Sequence, residues 1–183
     1  MIFAFTGKKR AGKSTAAKYV QEKLRGIRLN FKDPLITELQ EKFPDLLEAI
    51  SLTLDQTVYD PLAPWTPERM FAVKPPLIRT LMQNYGTNVV RAREPNHWVD
   101  QWSAEAAQHP TVITDDVRFH NEAQAVKALG GIIIRINRIG LDSQDSHVSE
   151  TEMDSIEADY TLSIEDGDIH TLHTRLDEII TWL

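Results

Sequence analysis

One short stretch near the N-terminus constrains this chain more than any other. Gly7-Lys8-Lys9-Arg10-Ala11-Gly12-Lys13-Ser14 satisfies the pattern G-x-x-x-x-G-K-[ST]. Glycines at both ends of the loop let the backbone wrap closely, so that its N–H groups point inward at phosphate oxygens. Lys13 then reaches the β- and γ-oxygens of a nucleotide, and the Ser14 hydroxyl is placed to ligate Mg²⁺. The context fits the motif. Ile2 to Thr6 is an apolar run of strand character, and Lys13 to Leu24 switches to helical period with Ala16, Val20 and Leu24 four apart. A helix opening on the loop adds the partial positive charge of its N-terminus. Gly7, Lys8, Arg10, Ala11, Gly12, Lys13, Ser14 and Thr15 are therefore the candidate ATP-binding residues, with Lys9 equally well a solvated basic turn.

The remaining composition narrows the class. A length of 183 residues fits one domain. There is no cysteine, which excludes disulfides, Cys-ligated metals and a Cys nucleophile, and is compatible with a reducing cytosol. No apolar run approaches the ~20 residues of a membrane helix, and MIFAFTGKKR is apolar first and basic second, the reverse of a secretory signal. A cytoplasmic protein is expected. With 20 Lys and Arg against 27 Asp and Glu, the net charge of −7 argues against nucleic acid as a partner. Any polyanion bound here is small and gripped locally.

Strands alternate with helices along the chain, which implies a parallel sheet covered on both faces. Ile27 to Phe31 is a weak strand. Pro34 starts a helix from Leu35 to Phe43, and another runs from Leu46 to Leu54. Tyr59 to Pro76 is Pro-rich, read as loop with one short helix begun by Thr66-Pro67-Glu68. Leu77 to Tyr85 is helical and stopped by Gly86. Asn96 caps a helix to Gln108, Thr111 to Thr114 is a strand, and Asn121 to Leu129 is a helix closed by Gly130-Gly131. Ile132 to Ile136 and Tyr160 to Ile164 are strands. Asp168 caps a last helix with Ile169, Leu172, Leu176, Ile179 and Leu183 along one stripe. The expected organisation is a single domain over 1–183, with 34–76 as a helical, Pro-rich insertion on the acceptor side and 138–155 as a lid loop.

A phosphate-binding loop says which end of a nucleotide is held; an acceptor needs groups of its own. Leu77/Leu81 and Ile78/Met82/Tyr85 form a buried stripe, leaving Arg79 and Gln83 as an i,i+4 pair suited to a phosphate and a base or ribose edge. An exposed Arg on an amphipathic helix reads equally well. The strand Thr111 to Thr114 ends in Asp115-Asp116, followed by Val117 and Arg118. Carboxylates there lie at the C-terminal edge of the sheet, where open α/β folds bind ligands. Either acid suits Mg²⁺ held through water or action on the acceptor hydroxyl, and either is also compatible with a turn and cap. Arg135 or Arg138 is placed to reach across the transferring phosphoryl group. Trp102 reads as core, and Trp98 as a candidate for stacking on a base. His170-x-x-His173 shares a helix face but reads as surface histidine.

These residues together resemble a known family, the deoxynucleoside monophosphate kinases of tailed bacteriophages, P-loop kinases distantly similar to phosphomevalonate kinase. The resemblance rests on Gly7 to Thr15, Gln83-x-x-Gly86-Thr87-x-x-x-Arg91 with Trp98, Asp116-Val117-Arg118-Phe119-x-x-Glu122, Ile136-Asn137-Arg138, His147-x-Ser149-Glu150 and Ala158-Asp159-Tyr160. It implies a three-layer α/β/α P-loop fold, nucleoside-monophosphate-kinase-like, on a mostly parallel five-stranded sheet. It also implies Mg²⁺-dependent transfer of the γ-phosphoryl of ATP to a deoxynucleoside 5′-monophosphate. The acceptor site it implies uses Gly86, Thr87, Trp98, Asp116 and Glu122, to which the residue reading adds Arg79, Gln83, Arg91 and Arg118. Lys13, Asp116, Arg118 and Arg138 are the expected catalytic residues, with Ser14 and one of Asp115 or Asp116 on the metal side. Two departures stand out: Ser14 replaces the Asp frequent after the lysine in this family, and Asp115 duplicates the strand-end acid.

Other functions compete. Another small-molecule kinase, of the phosphomevalonate or dephospho-coenzyme-A type, would share the loop. A P-loop ATPase or GTPase switch would hydrolyse nucleotide without acceptor and would not need Arg79, Gln83 or Arg118. A nucleic-acid 5′-end kinase would need a basic stripe. The expected partners are small nucleotides, with no nucleic acid and no membrane; a homodimer is neither required nor excluded.

Overall fold

β1 (Ile2–Thr6), buried at all five positions, lies at the centre of a five-stranded sheet of order β2 (Ile27–Arg28), β3 (Val112–Thr114), β1, β4 (Ile132–Arg138) and β5 (Tyr160–Ile164), in which every pairing is parallel. The computed structural model describes residues 1–54, 63–141 and 152–182. In chain order the elements are β1, α1 (Lys13–Leu24), β2 (Ile27–Arg28), α2 (Asp33–Lys42), α3 (Pro44–Thr53), α4 (Pro67–Val73), α5 (Pro76–Gln83), a π-helical segment (Asn84–Arg91), α6 (His97–Ala106), β3 (Val112–Thr114), α7 (His120–Ala128), β4 (Ile132–Arg138), a 3₁₀ turn (Glu152–Ser155), β5 (Tyr160–Ile164) and α8 (Ile169–Thr181). They form two compact units, Met1–Phe31 with Val99–Leu183, and Lys32–Trp98.

In the first unit, strand alternation distributes the core over two faces. Phe3, Phe5, Ile134 and Ile136 pack against Ala16, Ala17 and Val20 of α1 and Leu172, Leu176 and Ile179 of α8. Ile2, Ala4, Val112 and Ile133 pack against Val99, Trp102 and Ala106 of α6 and Ala123 and Val126 of α7. Both faces of the sheet are therefore covered, which is why Ile2–Phe5 of β1 and Ile132–Ile134 of β4 are apolar in succession rather than alternating. The three-layer α/β architecture and the parallel sheet agree with the sequence. β1 pairs with β3 on one side and β4 on the other. Its C-terminal end is thus the point where strand order reverses, the position at which open α/β sheets bind ligands.

The second unit is helical, with a core that includes Leu35, Leu39, Leu47, Met70, Ile78 and Trp98. Pro34, Pro44, Pro67 and Pro76 each sit in the first turn of a helix, where the missing N–H costs nothing. Thr66 accepts from Arg69 N at 3.3 Å, the cap expected for α4. One expectation fails. Gly86 does not stop the helix: α5 passes into the π-helical segment Asn84–Arg91, with Gly86 buried inside it. A Cβ on Gly86 would lie 2.7 Å from Leu35 Cδ2, so the residue serves close packing on α2.

The expected strand over Ile27 to Phe31 is limited to Ile27–Arg28, and β4 extends to Arg138, into the expected lid. Residues 142–151 of that lid, including His147, Ser149 and Glu150, lie outside the described residues, as do 59–62 of the Pro-rich stretch. Among the described residues no helix is long and apolar enough to cross a membrane.

Candidate active site

The loop between β1 and α1 is held from several sides. Gly7 has φ +132°, and a Cβ there would fall 2.2 Å from the carbonyl oxygen of Ile136 on β4. Only glycine fits both the dihedral and the approach. Ala11 N donates to Lys8 O at 3.1 Å, and Thr6 Oγ1 to Val117 O at 2.9 Å, tying the end of β1 to the segment after β3. Lys13 is 8 % exposed, and its ammonium donates to the carbonyl oxygens of Gly7 and, at 2.8 Å, Lys8. The amine is therefore held inside the curl of the loop.

Ser14, the second residue of α1, donates its hydroxyl to Asp115 Oδ2. Asp115 directly follows β3 and is 7 % exposed; Arg28 of β2 donates to the same oxygen. Asn30 Oδ1 accepts from Asp115 N at 3.0 Å. The neighbouring acid has other partners: Asp116 Oδ1 accepts from Phe31 N and from Thr114 Oγ1, each at 3.0 Å. Of the two strand-end carboxylates, Asp115 faces the loop and Asp116 ties β3 to the chain leaving β2.

The remaining candidates divide by unit. In the first, Glu122 is 2 % exposed in the first turn of α7. It accepts from Arg118 N at 2.8 Å and Phe119 N at 3.2 Å, which makes it a helix cap. Arg118 is half-buried just before it. Arg138, at the end of β4, donates to Arg10 O at 3.0 Å and pairs with Asp166, bracing the crest of the loop. Of the two arginines offered for the phosphoryl group, Arg135 donates to Met153 O and Ile156 O and straps β4 to that segment. Lys8 pairs with Asp154 at 3.2 Å; Lys9, Arg10 and Thr15 are exposed. His173, read as a surface histidine, is half-buried and stacks on Tyr19 with ring centroids 3.8 Å apart.

In the second unit, Arg79, Gln83, Thr87 and Arg91 are half-buried along α5 and the π-helical segment. Among the described residues, the Arg79 side chain makes no ion pair or hydrogen bond. Trp98 departs from expectation. It is 1 % exposed, and its indole N–H donates to Gly86 O at 3.1 Å. A ring buried in a helical core has no free face for a base. Gly86 contributes its carbonyl to this bond rather than a surface to a ligand. Beside it, Glu38 accepts from Lys42 and Tyr85, each at 2.6 Å, and contacts His97 Nε2 at 3.0 Å. Burial works against the Glu38 carboxylate, yet these partners outweigh it and hold its pKa down to about 2.

Arg28 and Asn30 were missed in the sequence. The signal was their alternation with Ile27, Leu29 and Phe31, which sends the two polar side chains to one side of the chain leaving β2.

Comparison with known proteins bears on the family and the fold. A model of the deoxynucleotide monophosphate kinase family matches residues 70–176. A protein of Acanthamoeba polyphaga mimivirus, provisionally named a deoxynucleotide monophosphate kinase, is 34 % identical over 166 residues, covering 86 % of this chain and 84 % of its own. The deoxynucleotide monophosphate kinase of Escherichia phage RB69 is 27 % identical over 109 residues, covering 56 % of this chain and 44 % of its own. Dephospho-CoA kinase from Campylobacter jejuni shares the fold with a TM-score of 0.51 at 13 % identity, covering 99 % of this chain and 96 % of its own. On the family match and the mimivirus relative, the chain belongs to the deoxynucleotide monophosphate kinase family.

Proposed function

We propose that this chain transfers the γ-phosphoryl group of ATP to deoxynucleoside 5′-monophosphates, giving the diphosphates. The observation that carries the reading is the Ser14–Asp115 hydrogen bond at the mouth of the phosphate-binding loop, in a chain of this family. It joins a hydroxyl and a carboxylate, hard oxygen donors of the kind Mg²⁺ prefers. Among the described residues no group of three or more His, Cys, Asp or Glu could cage a metal. A site of two protein oxygens completed by nucleotide phosphates suits Mg²⁺ better than a cation that needs a full protein cage. When bound, Mg²⁺ neutralises charge on the β- and γ-phosphates.

The chain's own groups do the positioning. Loop amides and the α1 N-terminus hold the phosphates, and Lys13 exchanges the carbonyls of Gly7 and Lys8 for phosphate oxygens. Ser14 and Asp115 hold the metal side. Arg118 and Arg138 supply cationic charge near the loop, and Arg79 with Gln83 and Thr87 form the acceptor face of the helical unit. No covalent intermediate is needed, because phosphoryl transfer is largely positioning and charge neutralisation. The substrates are small nucleotides, met in the cytoplasm.

The test is ADP release with ATP and Mg²⁺ against each of the four dNMPs, the four NMPs and no acceptor. Turnover that requires a dNMP is expected. Lys13→Ala should remove at least roughly 10²-fold of it, on the scale of losing a preorganised charge-stabilising group. Hydrolysis indifferent to acceptor would overturn the reading in favour of a P-loop switch.

A further inference from the structure

We propose that Arg28 is a positioning residue of the phosphoryl-transfer site, holding the Asp115 carboxylate against Ser14 so that the Ser14 oxygen faces the cation that accompanies ATP. The inference rests on the ATP-site reading above and names a residue outside the phosphate-binding loop and outside every motif quoted for the family.

Three observations converge. Asp115 is 7 % exposed, and a carboxylate buried that far is costly unless paired. The guanidinium of Arg28 and the hydroxyl of Ser14 meet on the same oxygen, Oδ2. A serine hydroxyl has one proton; given to Asp115, it leaves the oxygen lone pairs turned toward the loop and available to a metal ion. If the carboxylate rotates, Ser14 loses the acceptor that sets its direction. Third, the same stretch of chain grips the acid at its backbone, because Asn30 Oδ1 accepts from Asp115 N at 3.0 Å. Side chain and main chain of Asp115 are thus both fixed from the chain leaving β2.

Register explains the reach. β2 and β3 pair in parallel with Arg28 opposite Ile113, two residues before Asp115, so the side chain needs to extend forward by only about two residues' rise. Arginine suits the task better than lysine, since its guanidinium is always charged and more weakly hydrated than an ammonium, so it is less costly to hold beside a buried carboxylate.

The test is calorimetric titration of ADP into the full chain, once with Mg²⁺ and once with EDTA, for wild type, Arg28→Gln, Arg28→Lys, Asp115→Asn and the Arg28→Gln/Asp115→Asn double variant. Arg28→Gln should lose roughly 10- to 100-fold of the Mg²⁺-dependent gain in affinity, the usual effect of removing a partner of a metal-side group. Affinity in EDTA should stay within about twofold, and Arg28→Lys should recover part of the loss. In the Asp115→Asn background the Arg28→Gln effect should vanish, as expected for residues acting in series.

A Mg²⁺ gain left intact in Arg28→Gln would overturn the proposal. So would an equal loss with and without metal, which marks a scaffold role, or an undiminished effect beside Asp115→Asn, which marks direct contact with ligand. If Arg28→Gln does not fold, Arg28→Lys carries the same comparisons. A wild type that binds ADP no better with Mg²⁺ would instead overturn the ATP-site reading itself.

Discussion

The indole N–H of Trp98 donates to the carbonyl oxygen of Gly86 at 3.1 Å, joining the first turn of α6 to the π-helical segment inside a core. This bond turns a residue that looks like a base-stacking platform into a structural one. Trp98→Phe strands a buried carbonyl and leaves space where the larger ring was. It should cost roughly 3 kcal/mol by urea unfolding. In the folded enzyme the acceptor KM should stay at the wild-type value; a raised KM at unchanged stability would restore the stacking role.

Gly86 sets two effects against each other. Alanine is favoured over glycine in a helix by about 1 kcal/mol, but its Cβ would meet Leu35 Cδ2 at 2.7 Å. Overpacking of this kind costs about 1–3 kcal/mol, so Gly86→Ala should destabilise. In a Leu35→Val background, which withdraws the crowding methyl, the same change should become neutral or stabilising. Chemical denaturation of the four proteins in this cycle measures the sign reversal.

The two strand-end acids should separate by experiment. Asp115→Asn weakens the partner of Ser14, so the Mg²⁺ concentration for half-maximal rate should rise and kcat should fall. Asp116→Asn disturbs the bonds from Phe31 N and Thr114 Oγ1. It should cost about 1–2 kcal/mol of stability and leave the Mg²⁺ dependence unchanged. A Mg²⁺ shift in Asp116→Asn alone would reverse the assignment.

The helical unit carries a titrating tie. Burial disfavours the charged His97 ring, but hydrogen bonds to Glu38 and Glu94 outweigh it and raise its pKa above 6.5. Stability from the charged ring is full below about pH 6.5 and is lost as pH rises through the raised folded value. Glu38, depressed to about 2, contributes stability present above its ordinary 4.5 and lost as pH falls toward 2. Both contributions are therefore complete between about pH 4.5 and 6.5. Wild-type melting temperature should fall from about pH 6 to pH 9, and the fall should be smaller in His97→Gln. Equal slopes in thermal melts of the two would remove His97 from the effect.

How much was legible follows from how local each signal is. The phosphate-binding loop is written within eight consecutive residues, Gly7 to Ser14, and the positive φ at Gly7 needs only its own glycine. Strand and helix periods are equally local, so the parallel sheet and most helices could be read directly. The helix-starting prolines are only partly legible: Pro76 closes a Pro-rich stretch that reads as loop, yet α5 begins there.

Long-range choices had no such signal. Ser14 and Asp115 are 101 residues apart, and nothing near either tells which of two adjacent acids turns to the loop. That was decided by the chain leaving β2, which engages one acid through Arg28 and Asn30 and the other through Phe31 N. Trp98 and Gly86 show the same limit: a capped helix and a glycine after an apolar stripe are locally consistent with an exposed ring and a helix stop. Trp98 is instead buried with its indole N–H on the Gly86 carbonyl, and Gly86 lies inside a π-helical segment against Leu35. Local sequence settles backbone propensity and motif chemistry because both depend on contacts a few residues long; burial and the choice among equivalent side chains depend on which distant surfaces meet.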